Sequence, residues 1–157
     1  MAEPLADIVI HKMEQAAELY HRLVLLVAPA GSGKTSVLLD VHKRAAAPCI
    51  NVNLELSRRM LDLTERQRAL QIPLLLLDIV GEAPIVLLDN MEILFDVSLK
   101  LDPLRLLQGL SRNRTVVAAW NGSINGENLV YAAPDHPEYR RYPVQDLLVV
   151  SPEAIAW

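Results

Sequence analysis

The sequence predicts an α/β protein built on a parallel, doubly wound sheet, and three observations lead to this fold class. First, the apolar run 23–28 enters a glycine-rich loop, 28–35, which opens a helical segment. Second, 52% of the residues are hydrophobic but only 4% are aromatic, so the core is aliphatic, as expected where helices cover both faces of parallel strands. Third, aliphatic runs alternate with helical segments along the chain. We expect residues 1–157 to form a single domain.

The loop itself has the pattern of a phosphate-binding loop, because it ends in Gly33-Lys34-Thr35 between an apolar strand and a helix. Its backbone N–H groups can surround phosphates, Lys34 can reach the β and γ phosphates, and the Thr35 hydroxyl can hold Mg²⁺. Ala28 stands where the pattern usually has its first glycine, and we interpret it as a tolerated small residue. An ordinary turn would not need a lysine and a hydroxyl here. The predicted ligand is a nucleotide with Mg²⁺, with ATP expected and GTP left open. The predicted binding residues are Pro29, Ala30, Gly31, Ser32, Gly33, Lys34, Thr35 and Ser36.

Composition and charge restrict the class of protein. The net charge of −4 gives no general attraction to nucleic acid, so any DNA contact should be local or depend on an assembly. The single cysteine, Cys49, cannot form an internal disulfide, which fits a reducing compartment. The N-terminus lacks signal-peptide character, and no apolar run approaches the roughly 20 residues of a membrane span. We therefore expect a cytoplasmic protein without a membrane partner.

The first half of the chain predicts four helices and two strands around the loop. Apolar residues recur at helical spacing before the first strand, and Ser57 has the character of a helix N-cap. Pro73 suits a first helical turn, and Gly81 suits a helix end. The expected elements are helix 5–22, strand 23–28, a helix to about 46, strand 50–54, helix 57–71 and helix 74–80.

The second half predicts three further strands. Asp102 and Pro103 mark a helix start, and two Asn-Gly pairs, at 121–122 and 125–126, mark turns with a possible small hairpin through 129–131. The expected elements are strand 85–89, an apolar turn over 91–95, helix 103–110, strand 115–120 ending at Asn121, an irregular stretch over 134–143 and a fifth strand over 144–150.

Polar residues follow three strands besides the loop strand, and the carboxyl ends of parallel strands are where such sheets bind ligands. Asn53 and Glu55 follow the second predicted strand. Asp89 follows the third, after four aliphatic residues, and we predict that it binds Mg²⁺ with Thr35. Asn121 follows the fourth, where it could sense the γ-phosphate or orient water, or simply form an Asn-Gly turn.

The general base is the least defined part of the predicted site. Many ATPases of this kind carry a glutamate directly after the magnesium aspartate, but this chain has Asn90, which cannot accept a proton from water. Glu92 and Glu55 are the nearest carboxylates, and either could equally be a solvated turn residue.

Arginines commonly stabilise charge in phosphoryl transfer, sometimes from a second molecule. Arg112 and Arg114 precede the fourth strand and so lie at its amino end, opposite the loop, where they could reach a nucleotide held by a neighbouring subunit. The pairs at 58–59 and 140–141 are interpreted as solvated surface. His136 lacks companion ligands at metal spacing and is interpreted as a residue that structures its loop.

The order of loop, terminal aspartate, terminal asparagine and fifth strand resembles minimal ATPases of the additional-strand (ASCE) type, which include the AAA+ proteins. More specific segments resemble the small P-loop proteins of the BrxF family, from type 3 bacteriophage exclusion (BREX) defence systems, and this resemblance covers nearly the whole chain. The segments that carry it are 53–59, 88–95, 103–108, 111–115, 119–122 and 136–139.

The resemblance implies a three-layer P-loop NTPase with a five-stranded parallel sheet of order 5-1-4-3-2, helices on both faces and no C-terminal lid. It also implies an anti-phage component that works beside a DNA methyltransferase, a larger ATPase and a phosphatase-like protein. Asn90 and the missing lid depart from the AAA+ pattern, which argues against fast intrinsic hydrolysis.

Three functions remain open from the sequence. The first is a Mg-ATP-dependent homo-oligomeric ATPase, for which a ring is one candidate arrangement, with sites completed by Arg112 or Arg114 of a neighbour. The second is a nucleotide-gated binding module with little hydrolysis. The third is a small-molecule or nucleoside kinase, which would need an acceptor pocket and an arginine-rich lid. DNA contact through an assembled ring is a further expectation.

Overall fold

The computed structural model describes residues 4–151 of the chain. Residues 1–3 and 152–157 lie outside this part, and so does the expectation that no lid follows the last strand. Within the described range, five α-helices and seven strands form one three-layer α/β arrangement. The helices are α1 Leu5–Ala16, α2 Lys34–Ala45, α3 Val52–Arg59, α4 Glu65–Val80 and α5 Pro103–Leu110. The strands are β1 Leu23–Ala28, β2 Cys49–Asn51, β3 Ile85–Asp89, β4 Thr115–Asn125, β5 Asn128–Tyr131, β6 Arg140–Pro143 and β7 Leu148–Val150.

The central sheet is parallel and follows the order β2-β3-β4-β1-β7. Counted by the parallel strands alone, this order is 5-1-4-3-2. The five strands expected in the parallel sheet are therefore present, and the described sheet has seven strands in all. The two additional strands, β5 and β6, pair antiparallel to the far half of β4.

Aliphatic side chains on both faces of the sheet explain why the helices divide into two layers. On β1, Leu25 and Val27 face the core that contains α3, α4 and α5, whereas Val24 and Leu26 face the core that contains α1 and α2. These strand residues are at most 1% exposed. Because side chains alternate along a strand, burial on both faces requires the continuous apolar run seen in the sequence.

The predicted second strand is too long, and the helix after it begins earlier than expected. β2 ends at Asn51, whose side-chain oxygen accepts a 3.0 Å hydrogen bond from the backbone N–H of Leu54 and so caps α3. Ser57 lies inside α3 and is not an N-cap. Asn53 therefore lies in the first turn of a helix, which changes where its side chain acts.

The predicted break at Pro73 is also wrong, because α4 runs through this residue. A capping box formed by Thr64 and Gln67 starts the helix, and Gly81 ends it at a φ of 58°. An interior proline costs a helix about 3 kcal/mol. The buried stripe of Ile72, Leu76 and Val80 continues on both sides of it and keeps the helix packed on the sheet.

The fourth strand extends past its predicted end at Asn121 into a hairpin with β5. The Asn121-Gly122 pair lies within this strand, so the turn predicted there is wrong. Gly126 and Glu127 form the turn between Asn125 and Asn128, which confirms the expectation of a hairpin through 129–131. Gly122 is required because a Cβ at this position would lie 1.8 Å from the carbonyl oxygen of Val130. The stretch 134–143 is irregular only in part, since β6 begins at Arg140, and the fifth parallel strand is shorter than predicted.

Aromatic residues, few in this sequence, gather where the hairpin leaves the sheet. Phe95 and Tyr131 stack with ring centroids 3.5 Å apart, and Trp120 contacts both rings edge-on. The indole N–H of Trp120 donates a 3.2 Å hydrogen bond to the carbonyl of Val130. This cluster anchors the hairpin to the sheet beside the end of β3.

Candidate functional site

A cavity of about 230 Å³ opens at the carboxyl ends of β1, β3 and β4, the edge predicted to bind ligand. We call it the loop cavity. Lining residues come from the glycine-rich loop, from the start of α2, from the end of β3 and the turn after it, and from β4 where its parallel pairing with β1 ends. They are Ala30, Gly31, Gly33, Lys34, Thr35, Asp89, Asn90, Glu92, Ala119 and Asn121.

The glycine-rich loop reaches its shape through two left-handed residues. Gly31 has a φ of 75° and Gly33 a φ of 94°, a region that glycine adopts without steric cost. Ser32 closes the loop on itself by donating a 2.6 Å hydrogen bond to the carbonyl of Pro29. Gly33 is also the N-cap of α2, so the helix starts at the cavity with its unpaired N–H groups and positive dipole end.

Lys34 is the main positive charge of the loop cavity and is only 8% exposed. Its ammonium donates hydrogen bonds of 2.8 and 2.7 Å to the carbonyl oxygens of Ala28 and Pro29. Burial lowers the pKa of Lys34, while the negative charges of Asp89 and Glu92 act in the opposite direction. The ammonium is thus held at the mouth of the loop, where a phosphate could replace the carbonyl contacts.

Thr35 and Asp89 meet in the same cavity, although 54 residues separate them. The Thr35 hydroxyl donates a 2.6 Å hydrogen bond to Oδ2 of Asp89. Mg²⁺ prefers oxygen ligands and keeps several of its waters, so one hydroxyl and one carboxylate suit it. Among residues 4–151, no group of three or more His, Cys, Asp and Glu side chains is placed so that it could hold a metal ion.

Glu92 is held by two asparagines that the sequence places far apart. Asn53 donates from Nδ2 to Oε2 of Glu92 at 2.7 Å, and Asn121 donates from Nδ2 to Oε1 at 2.6 Å. Because each carboxylate oxygen accepts one amide, the group is fixed in orientation at the cavity wall. The short 3₁₀ turn Glu92–Phe95 after β3 presents it there.

Asn90 contributes through its backbone, which has a left-handed φ of 49°. Its N–H donates a 2.9 Å hydrogen bond to Oδ1 of Asp89, and its carbonyl accepts a 2.7 Å hydrogen bond from the N–H of Asn53. Asparagine tolerates this left-handed conformation better than most residues, which explains why an asparagine directly follows Asp89. Asn90 and Glu92 both line the loop cavity, and of the two only Glu92 carries a carboxylate.

Some predicted site residues lie elsewhere. Ser32 and Ser36 are exposed and do not line the loop cavity, and Pro29 faces a second cavity described below. Glu55, the other candidate base, accepts a 2.7 Å hydrogen bond from Arg59 on the outer side of α3. Of the two candidate carboxylates, only Glu92 lies in the loop cavity.

The arginine pair lies at the amino end of β4, away from the loop cavity, and its two members differ. Arg114 is 9% exposed and donates a 2.8 Å hydrogen bond to the carbonyl of Leu110. This burial corrects the expectation that Arg114 could reach a neighbouring molecule. Arg112 is exposed, with its guanidinium 5.0 Å from the ring centre of Tyr20.

Sequence reasoning missed two features of this region. It placed Asn53 at a strand end but did not connect it with Glu92, and it left the stretch around His136 without a role at the site. The ring nitrogen Nδ1 of His136 accepts a 3.0 Å hydrogen bond from the N–H of Glu138, which confirms its role in structuring the loop. The repeated occurrence of Asn at three strand ends was the only signal in the sequence for the first feature.

Across residues 4–151, none of the helices combines the length and the apolar character that crossing a membrane would require.

Comparisons with known proteins find little similarity. No protein-family model matches the chain, and no curated protein sequence matches it. The solved structure of C. elegans PCH-2 matches with a TM-score of 0.33 and 20% sequence identity over 77% of this chain. The match takes in 35% of the PCH-2 chain, so this chain spans well under half of that length. The fold and the candidate site are therefore defined by the chain's own geometry.

Proposed function

We propose that this chain binds Mg-ATP in the loop cavity and hydrolyses it to ADP and phosphate. One observation carries the proposal: the ammonium of Lys34, the paired oxygens of Thr35 and Asp89, and the fixed carboxylate of Glu92 all line a single cavity at the start of a helix. A cation, a magnesium-type donor pair and a base are the three parts that phosphoryl transfer requires beside a phosphate-binding loop.

Each residue has a defined task in this proposal. Lys34 exchanges its contacts with Ala28 and Pro29 for phosphate oxygens. Thr35 and Asp89 hold Mg²⁺, which when bound neutralises phosphate charge. Glu92 accepts the proton of the attacking water, and the amides of Asn53 and Asn121 keep its carboxylate aimed into the cavity.

The test follows nucleotide binding and phosphate release separately in the purified chain. We expect native protein to bind Mg-ATP and release phosphate, and Lys34→Ala to lose both. The matched control is Lys43→Ala on the exposed end of α2, which should retain both. Equal nucleotide affinity in the native and Lys34→Ala proteins would refute the proposal.

A nucleotide-gated module with little hydrolysis is the second candidate, and one observation favours it. Both carboxylate oxygens of Glu92 already accept hydrogen bonds, from Asn53 and Asn121, so an attacking water must compete with these two amides for the same oxygens. If phosphate release stays at the background rate while Mg-ATP binds, this alternative replaces the first.

We further propose that the chain is a homo-oligomeric component of a BREX type 3 anti-phage system in the cytoplasm. Its support is the resemblance of six segments to the BrxF family, stated from the sequence. Exposed apolar side chains on α4, including Leu70 at 70% and Leu74 at 62% exposure, also favour association with another surface. Other BREX components and assembly-dependent DNA are the expected partners.

Sizing of the purified protein with and without Mg-ATP tests the assembly. A strict monomer at saturating ATP would contradict the oligomer. For DNA, we expect weak binding by the isolated chain that falls with salt, because the net charge is −4 and only local basic groups can contribute. Salt-independent binding to duplex DNA would contradict an electrostatic contact.

A further inference from the structure

A second, larger cavity adjoins the loop cavity on the side of Glu92 and Asn121. It has a volume of about 550 Å³, and we call it the hairpin cavity because the β4–β5 hairpin and the following loop 132–139 form most of its walls. Three residues, Ala30, Glu92 and Asn121, line both cavities. A molecule in the hairpin cavity would therefore contact the same carboxylate that faces a bound phosphate.

The walls of the hairpin cavity are held in place by packing and hydrogen bonds. Tyr131 is 6% exposed and stacks on Phe95, so its ring is a fixed wall. The loop is closed by hydrogen bonds from the N–H of His136 to the carbonyl of Ala133, at 2.9 Å, and from the N–H of Glu138 to the ring of His136, at 3.0 Å. The volume lies within the range of small-molecule sites in proteins.

The charge of the lining restricts the class of ligand. Glu92 and Glu138 contribute two carboxylates, and no lysine or arginine is among the described lining residues. Burial raises the pKa of Tyr131 to about 12, and the nearby charges of Glu138 and Glu92 add to this shift, so the phenol stays protonated. An anionic ligand would be repelled from this cavity.

The remaining lining groups favour a molecule with one apolar ring and several hydroxyls. Tyr131, Ala132 and Ala133 provide an apolar wall, whereas Ser123 and Asn121 provide neutral hydrogen-bonding groups. Since Nδ1 of His136 accepts a hydrogen bond, the neutral ring carries its proton on Nε2 and can donate from that position. A nucleoside combines these properties in a size that the cavity can hold.

We propose that the hairpin cavity binds an uncharged nucleoside-type molecule, with a ligand hydroxyl facing Glu92 across from the nucleotide phosphates. The role of the bound ligand rests on the proposed nucleotide site in the loop cavity. Binding of the ligand in the hairpin cavity does not require ATP. It provides the acceptor-side pocket that the sequence alone did not reveal for a nucleoside kinase.

The experiment is an amide NMR titration of the full chain saturated with Mg²⁺ and a non-hydrolysable ATP analogue. The probes are adenosine, guanosine, cytidine and uridine, each at up to about 5 mM, a range that detects millimolar affinities. We expect at least one nucleoside to shift the amides of Ser123, Ala133 and His136. Its 5′-monophosphate should bind about tenfold more weakly because of the two carboxylates.

Two variants test whether the nucleoside shifts arise from binding in the hairpin cavity. Ala133→Leu adds a bulky side chain to the wall and should abolish the nucleoside shifts. Gln71→Leu makes the same kind of addition on the exposed face of α4 and should leave them unchanged. If no nucleoside shifts these amides, or if binding is lost once the analogue occupies its own site, the proposal is wrong.

The two proposals fail separately in this experiment. Shifts at Gly33 and Thr35 on adding the analogue report the nucleotide site, whatever the nucleosides do. Tighter binding of the monophosphates than of the nucleosides would overturn the charge argument and with it the assignment of the hairpin cavity.

Discussion

Asn53 on α3 and Glu92 after β3 are joined by a 2.7 Å hydrogen bond from Nδ2 to Oε2. Asn53 also accepts a 2.9 Å hydrogen bond at Oδ1 from the N–H of Ile93, and its own N–H donates to the carbonyl of Asn90 at 2.7 Å. Three hydrogen bonds from one residue thus hold the segment that carries Glu92. The orientation of the proposed base, Glu92, is therefore set by α3, the helix that follows the neighbouring strand β2.

Replacing Glu92 by glutamine should stop turnover without preventing nucleotide binding. Loss of a positioned base typically costs about 10²- to 10⁴-fold in rate, whereas the amide keeps the size of the side chain. We expect phosphate release to fall by at least about 100-fold, with the affinity for Mg-ATP changed by less than about threefold. Glu55→Gln is the matched control on the outer side of α3 and should retain the native rate. If Glu55→Gln lost phosphate release while Glu92→Gln kept it, Glu55 rather than Glu92 would be the base.

Asn53→Ala should lower kcat while leaving KM close to its native value. The substitution removes the amide that orients Glu92, and Asn53 itself does not line the loop cavity. We expect kcat to fall about tenfold, the effect of a misplaced rather than a missing base. Steady-state kinetics separate the two parameters, and Asn113→Ala, an exposed residue at the far end of the sheet, serves as the control. A rise in KM at unchanged kcat would show that Asn53 acts on nucleotide binding instead.

Arg112 provides a test of shared sites between subunits. It is exposed and lies at the opposite end of β4 from the loop cavity, so it cannot serve the nucleotide of its own chain. We expect Lys34→Ala and Arg112→Ala each to be inactive alone and to regain phosphate release when mixed, since mixed interfaces pair an intact Lys34 with an intact Arg112. An active Arg112→Ala protein, or no recovery on mixing, would contradict a trans role for this residue.

Gly122→Ala should destabilise the fold at the hairpin. A Cβ there would lie 1.8 Å from the carbonyl oxygen of Val130 and 3.1 Å from the indole nitrogen of Trp120, so the strands must separate. Forced overpacking of this kind costs on the order of 1–3 kcal/mol in the free energy of unfolding. Gly109→Ala is the opposite control, because nothing lies within 4 Å of its added Cβ inside α5, and it should stabilise by about 0.5–1 kcal/mol. Urea unfolding measures both, and equal stability of the two variants would refute the clash.

Stability at alkaline pH should depend on Tyr131. Burial raises its pKa from 10.0 to about 12, with the charges of Glu138 and Glu92 as smaller causes. The unfolded chain therefore loses this proton first, so the contribution of Tyr131 to stability is complete below pH 10 and is lost as the pH rises through about 12. At 1.36 kcal/mol per pKa unit, the loss amounts to about 2–3 kcal/mol.

Urea unfolding between pH 9 and 12 measures this loss, with tyrosinate absorbance as the direct readout. Tyr131→Phe should make the decline in the free energy of unfolding less steep, since the ring remains stacked on Phe95 but no longer titrates. Tyr20→Phe is the control, because Tyr20 is 68% exposed. An unchanged decline in Tyr131→Phe would assign the alkaline sensitivity to other groups.

Local patterns in the sequence were sufficient to predict the glycine-rich loop and the bounds of several strands. The runs that became β1 and β3 end where predicted, because continuous burial leaves no alternative to a strand of that length. Helix α5 begins at Pro103 after an aspartate cap, as its start signal indicated. The segment after β2 was mistaken for a strand because Ile50, Val52 and Leu54 alternate with asparagines, a pattern that also fits a capped helix start.

By itself the sequence determined the α/β class, the glycine-rich loop, and the convergence of Lys34, Thr35 and Asp89 at one sheet edge, since parallel strands bring their carboxyl ends together. Only the tertiary structure decided between Glu92 and Glu55, because their side-chain directions depend on a left-handed Asn90 and on contacts between distant segments. It also decided the burial of Arg114 and the presence of the hairpin cavity. Both arise where β4 packs against segments remote in the chain, and no local residue pattern specifies such long-range packing.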